Sequence, residues 1–196
     1  MAQHKRIRIS PWAAVLFLLM VITDRSMLCA AVMAAAAVHE CGHLLAAYLM
    51  GIPLQTMRLD LTGARLEVVG RLLSYGEEWL LCIAGPLASL FLSAAVFFLG
   101  AGHRFFLVLS TVSLLLGLLN LMPVQGFDGG RMLSAALGHF AGVRVCAGVM
   151  RISSFFCLFL IWSIAVYCLL RVGDGLSLFC FSMSLFGRFF TLAERG

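Results

Sequence analysis

Three residues in the stretch 34–50, AAAAVHECGHLLAAYLM, could do chemistry together: His39, Glu40 and His43, spelling H-E-x-x-H. Residues i and i+4 share one face of a helix, so the two imidazoles can converge on a single metal ion. Glu40, beside the first histidine, can reach a water bound to that ion. Two histidine ligands with a glutamate as general base is the arrangement of a zinc hydrolase. The plain alternative is a chance pattern, or two histidines hydrogen-bonded to nearby backbone. The setting argues against it, because ionisable groups inside an apolar, membrane-type helix are expensive and mark a functional site.

A catalytic zinc takes three protein ligands and keeps one position open, and two His with one carboxylate is an established set. H-E-x-x-H supplies only two. A second polar element follows an apolar run, Asn120-Leu121-Met122-Pro123-Val124-Gln125-Gly126-Phe127-Asp128-Gly129-Gly130-Arg131. Its proline and glycines break a helix, and broken backbone at membrane depth is tolerated only where it is buried in protein or lines a cavity. Asp128 is therefore the best placed third ligand, although a solvated turn would also explain it. Glu67, Glu77 and Glu78 stay open as substitutes. The Asn120 amide could hydrogen-bond an extended substrate strand or orient Asp128. His4, His103 and His139 have no partner at ligand spacing.

The elements that must carry these residues are membrane helices. The chain has 196 residues, 62% hydrophobic and 12% charged, with a mean hydropathy of +1.04. Soluble domains are about 45–50% apolar and about 25% charged, so the composition is that of an integral membrane protein. Apolar runs near 20 residues read as spans, which gives six: 11–22, 27–50, 79–99, 105–122, 152–170 and 176–190. The expected fold is an all-α polytopic membrane protein with a small cytoplasmic-side β-hairpin, one domain over 1–196 with a catalytic core at 27–131 and two C-terminal helices at 152–190. The basic start MAQHKRIRIS reads as the flank of a retained first span.

With the N-terminus in the cytoplasm, 11 of the 14 Lys and Arg side chains fall inside; only Arg25, Arg104 and Arg171 fall outside. That asymmetry places both termini in the cytoplasm. The net charge of +5 is thus a topology signal; no basic patch with interleaved aromatics exists, and nucleic acid is not an expected partner. Met57-Arg58-Leu59-Asp60-Leu61 alternates apolar and charged residues and Arg65-Leu66-Glu67-Val68 resumes the period, the pattern of a hairpin turning near Gly63. An amphipathic surface connector fits as well. An exposed strand edge there could bind substrate by strand addition, through Met57, Leu59 and Leu61. Glu77 and Glu78 read as helix N-terminal acids, and Ala84-Gly85-Pro86-Leu87-Ala88-Ser89 as close helix packing with a kink. The seven cysteines are scattered singly in apolar runs and no disulfide is assigned.

H-E-x-x-H followed by N-x-x-P-x-x-x-x-D-G resembles the site-2 protease family of intramembrane zinc metalloproteases over roughly residues 27–131, and within it the bacterial branch that includes stage IV sporulation protein FB. The resemblance implies one zinc per chain held by His39, His43 and Asp128, with Glu40 activating the water. It implies that Asn120 and the loop strand near 57–69 hold substrate. It also implies a bacterial cytoplasmic-type membrane and cleavage of a membrane-tethered protein near the cytoplasmic face, such as a transcription-factor precursor in sporulation or signalling. A membrane-bound inhibitor or regulator could act on such an enzyme. Ser89 stands where relatives often have Asn, and no role is carried to it. Neither a PDZ domain nor a nucleotide-sensing domain is expected. The alternative function is that of an inactive relative, or a metal-binding membrane protein acting through partners.

Overall fold

The computed structural model describes residues 6–9, 27–52, 54–60, 63–68, 73–100, 102–140, 142–171 and 176–193. The chain forms two units, Met1–Leu119 and Asn120–Gly196. Both are dominated by helices. Among the described residues four helices are long and apolar enough to cross a membrane: Leu28–Leu49, Tyr75–Leu99, Arg104–Leu121 and Val145–Arg171. The span expected at 11–22 lies outside the described residues, as do His4 and Leu61.

In the first unit, just over half of helix α1 (Leu28–Leu49) is alanine and leucine, the strongest helix formers. At about 1.5 Å per residue its length matches the hydrocarbon core of a bilayer. Ala31, Ala35, His39, His43 and Ala47 are its buried stripe. They recur every fourth residue, so the two histidines extend a packing face otherwise made of alanine. The helix stops in a Schellman turn. Gly51 adopts φ +64, its N–H reaches Tyr48 O at 3.1 Å and Ile52 N–H reaches Ala47 O at 2.9 Å. Buried Ile52 then packs with Ala47 and Leu81, the apolar contact that accompanies such a cap.

Helix α2 (Tyr75–Leu99) begins four residues before the expected span, because Ser74 and Glu77 form a capping box. Glu77 N–H donates to Ser74 Oγ at 3.2 Å and Ser74 N–H donates to Glu77 Oε2 at 3.0 Å, satisfying helix-end donors reciprocally. Helix α3 (Arg104–Leu121) returns along α2. The pair is stitched by Ser93 Oγ donating to Ser110 O and Ser110 Oγ donating to Ser93 O, both at 2.9 Å. Ala31, Ala35 and Leu109 form the shared core of the three helices.

The polar segments of this unit pair into a sheet. Strand β2 (Leu54–Asp60) runs antiparallel to β3 (Gly63–Val68), Asp60 opposite Gly63. The sequence pattern predicts only these two strands. A third, β1 (Arg6–Ile9), pairs parallel with β2, Arg6 opposite Thr56, and the order is β1-β2-β3. Parallel pairing joins segments far apart in sequence, so no local pattern announces it.

In the second unit a turn at 122–127 leads into α4 (Asp128–Phe140), which the sequence pattern does not predict, then α5 (Val143–Arg171) and α6 (Leu176–Ala193). Helix α5 starts nine residues before the span read at 152. The core gathers Val124 of the turn with Leu158, Leu185 and Phe189 of α5 and α6.

Candidate metal centre

His39 and His43 are buried on α1, and their Nε2 atoms lie 3.3 Å apart with the rings edge to face. Helix α2 fixes both rings from behind. His43 Nδ1 sits 2.8 Å from Leu81 O. A carbonyl only accepts, so Nδ1 carries the proton and Nε2 presents its lone pair. His39 Nδ1 lies 2.9 Å from Ser89 Oγ, which can accept the corresponding proton. This is the outer-shell pattern of metal-ligating histidines, in which one nitrogen is held by a hydrogen bond and the other is left for the ion.

With both Nδ1 atoms protonated, two nitrogen lone pairs face one another at this distance and repel unless a cation lies between them. Nitrogens about 2.05 Å from a tetrahedral zinc are about 3.3 Å apart, the separation observed. The donor pair fits zinc.

Glycine makes the arrangement possible. A Cβ on Gly85 would overlap the Nε2, Cε1 and Cδ2 atoms of His43. A Cβ on Gly42, inside the H-E-x-x-H motif, would lie 2.6 Å from Ala84 O and 2.7 Å from Ala88 Cβ. The Ala84-Gly85-Pro86 element therefore does more than allow close packing: it leaves room for a ligand ring. Gly85, Ser89 and the Leu81 carbonyl have functions that the sequence alone does not assign. Their spacing along α2 is the one signal that could expose them, since Leu81, Gly85 and Ser89 are four residues apart on one face.

Glu40 is half-buried, with Oε2 shielded from solvent. Of the substitute carboxylates, Glu77 is engaged at an exposed helix cap, bonded to both the N–H and the Oγ of Ser74. Cys41 is exposed and the seven cysteines form no disulfide.

Asn120 and Asp128 belong to the second unit. Asn120 lies half-buried in the last turn of α3, and Asp128 is the half-buried first residue of α4, where a carboxylate complements the helix dipole. Gly129 and Gly130 are buried behind it, and a Cβ on either would overlap backbone, at Leu121 O and Val124 O respectively. Met57 and Leu59 lie on β2, which has a strand on each side. Strand addition to β2 itself is thus closed, and among the described residues the open edges are those of β1 and β3. His103 is exposed, packed against Phe106 with ring centroids 5.9 Å apart.

Residues 100–162 match the model of peptidase family M50. The match covers Asn120 and Asp128. The chain is 33% identical over 121 residues to Rip3, a candidate zinc metalloprotease of Mycobacterium tuberculosis, in both the Erdman and H37Rv strains. That alignment covers 57% of this chain and 31% of Rip3, so the chain spans about a third of the length of these relatives. Among solved structures, a site-2 protease from Methanocaldococcus jannaschii shares the fold, with a TM-score of 0.61 and 23% identity over 94% of this chain and 90% of that one.

Proposed function

We propose that this chain, a member of the site-2 protease family within peptidase family M50, is an intramembrane zinc endopeptidase that cleaves a membrane-tethered protein. The observation that carries the reading is the His39–His43 pair: two Nε2 atoms at zinc-bridging separation, each ring turned by a bond to its other nitrogen. His39, His43 and Asp128 would hold one zinc per chain, completing the two-histidine, one-carboxylate set. When bound, the ion polarises the scissile carbonyl and makes water a nucleophile near neutral pH.

The remaining steps belong to this chain's own groups. Glu40 takes a proton from the attacking water and returns it to the leaving amide nitrogen as the C–N bond breaks. A helical substrate hides its carbonyls in i→i−4 bonds, so it must unwind before attack. An extended substrate segment would be held by the Asn120 amide and by main-chain pairing on an outer strand. Strand β3 offers six residues against four for β1, and is the better edge.

Six spans with both termini in the cytoplasm remain the proposed topology. Hydrogen-bonded neighbours lie on one side of a bilayer, so β1 and the 54–68 hairpin share a side. Arg6, Arg8, Arg58 and Arg65 all lie on those strands, which supports a cytoplasmic sheet.

The test combines metal content with cleavage of a reporter fused to a membrane-tethered precursor. Wild type should carry one zinc per chain, and Asp128→Ala should lose both zinc and cleavage. Glu40→Gln should keep zinc while cleavage falls by about 10²–10⁴. Full cleavage by Glu40→Gln would sink the general-base assignment, and full zinc in Asp128→Ala would mean that another acid is the third ligand.

A further inference from the structure

The turn that delivers Asp128 cannot satisfy its own backbone. Phe127 N–H closes on Val124 O at 3.0 Å, and Val124 N–H turns back to Met122 O at 2.7 Å. Gly126 has φ +101, whereas Gln125 is not among the residues with positive φ. Val124–Phe127 is therefore a type II turn with glycine at its third position. Among the groups these bonds leave over are the Gln125 N–H and the Pro123 carbonyl. Both go to one pair of side chains on α5. Ser154 Oγ accepts from Gln125 N–H at 2.8 Å, and Ser153 Oγ donates to Pro123 O at 3.0 Å. Ser154 is fully buried, and Val124 between the two bonds is anchored in the core with Leu158.

We propose that Ser153 and Ser154 are positioning residues for Asp128, clamping the 122–127 turn so that the carboxylate is presented at a fixed place. The proposal rests on the reading of Asp128 as a zinc ligand. Gln125 is exposed, but its N–H points at Ser154, which has no exposed surface. A backbone N–H left unpaired there is costly, so without Ser154 the turn shifts until Gln125 finds another acceptor, and Asp128, three residues on, shifts with it. Neighbouring serines on a membrane helix usually return their hydroxyls to their own helix. Here Ser154 reaches a loop 29 residues earlier in sequence, and Ser153 shares its hydroxyl between that loop, at Pro123 O, and its own helix, at Met150 O 3.2 Å away.

The experiment is competition for zinc between a chelator and the detergent-solubilised full-length chain. Ser154→Ala should weaken zinc binding about tenfold, in the range set by outer-shell partners of metal ligands. Gln125→Pro supplies the discriminating rescue. Position 125 is the second residue of a type II turn, where proline is favoured, and proline removes the N–H that Ser154 satisfies. Placed in the Ser154→Ala background it should restore most of the lost affinity. Loss of packing volume alone would not be restored by it, so Ser154→Ala that stays weak after the rescue overturns the clamp. Should Ser154→Ala fail to fold, Ser153→Ala on the half-buried neighbour decides: weakened binding supports the proposal and parental binding overturns it. Asp128→Ala separates the layers. If it binds zinc like the parent, the ligand reading fails; if it binds weakly while both serine variants bind like the parent, only the clamp fails.

Discussion

The two histidines and the aspartate are held in opposite ways. On α1 the donors sit in an unbroken helix whose backbone satisfies itself, and only the ring orientations need help, which α2 gives through Leu81 O, Ser89 Oγ and the space at Gly85. At Asp128 the backbone is broken, and its leftover polar groups depend on Ser153 and Ser154 of α5. A ligand on a helix inherits its geometry from spacing. A ligand on a turn borrows it from residues that sequence proximity does not reveal. The first arrangement should fail by steric or hydrogen-bond damage behind the rings, the second by loss of turn geometry.

The largest effect expected from breaking the helical arrangement is that of Gly85→Ala. The new methyl occupies the space of the His43 ring, which must rotate out of the pair, so zinc affinity should fall by about a hundredfold or more, beyond the usual cost of an outer-shell change. Gly148→Ala is the control. Gly148 lies inside α5 with nothing within 4 Å of an added Cβ, and alanine there should raise stability by about 0.5–1 kcal/mol. A Gly85→Ala protein that competes for zinc like the parent would contradict the packing derived for His43. Next comes Ser89→Ala, which leaves the His39 ring free to turn. Zinc affinity should drop about 10–100-fold, and a chelator titration at constant protein concentration measures it.

The turn arrangement is probed by Gly126→Ala. Space is open around Gly126, but its φ of +101 is one that a side chain resists. Stability should fall by about 1–2 kcal/mol from that strain alone. An unchanged Tm would mean that the turn relaxes into another type.

The same contrast explains which features are legible in the amino-acid sequence. H-E-x-x-H is legible because a helix converts a four-residue interval into one face, and the broken 120–131 run is legible because proline and glycine are explicit punctuation. The helices at 27–50, 79–99 and 105–122 are visible as apolar runs, with ends off by at most four residues, the largest where the Ser74–Glu77 cap sets the boundary. Three features are not legible. β1 pairs with β2 across more than 40 residues and has too little length for a periodic signal. α4 carries Gly129 and Gly130 in its first turn, so a turn composition masks a helix start. Ser89, Ser153 and Ser154 look like any serine in a membrane helix, since what distinguishes them is which neighbour they face.

The smallest effect, and the one that sharpens the contrast most, is expected from Ser74→Ala. Ser74 caps α2 as Ser154 serves the Asp128 turn: a side-chain oxygen accepting from a backbone N–H. The cap is exposed, with bonds of 3.0 to 3.2 Å, so water can replace the lost acceptor and the cost should be the ordinary ~1 kcal/mol of an N-cap. Fraying should stop before Leu81, which is buried against Ala47 and Ile52 and holds His43. Hydrogen exchange should therefore rise at Glu77 and Glu78 while zinc affinity stays at the parental value. If zinc affinity falls with it, the Leu81 carbonyl moves with the helix start, and the histidine pair depends on distant backbone as much as Asp128 does.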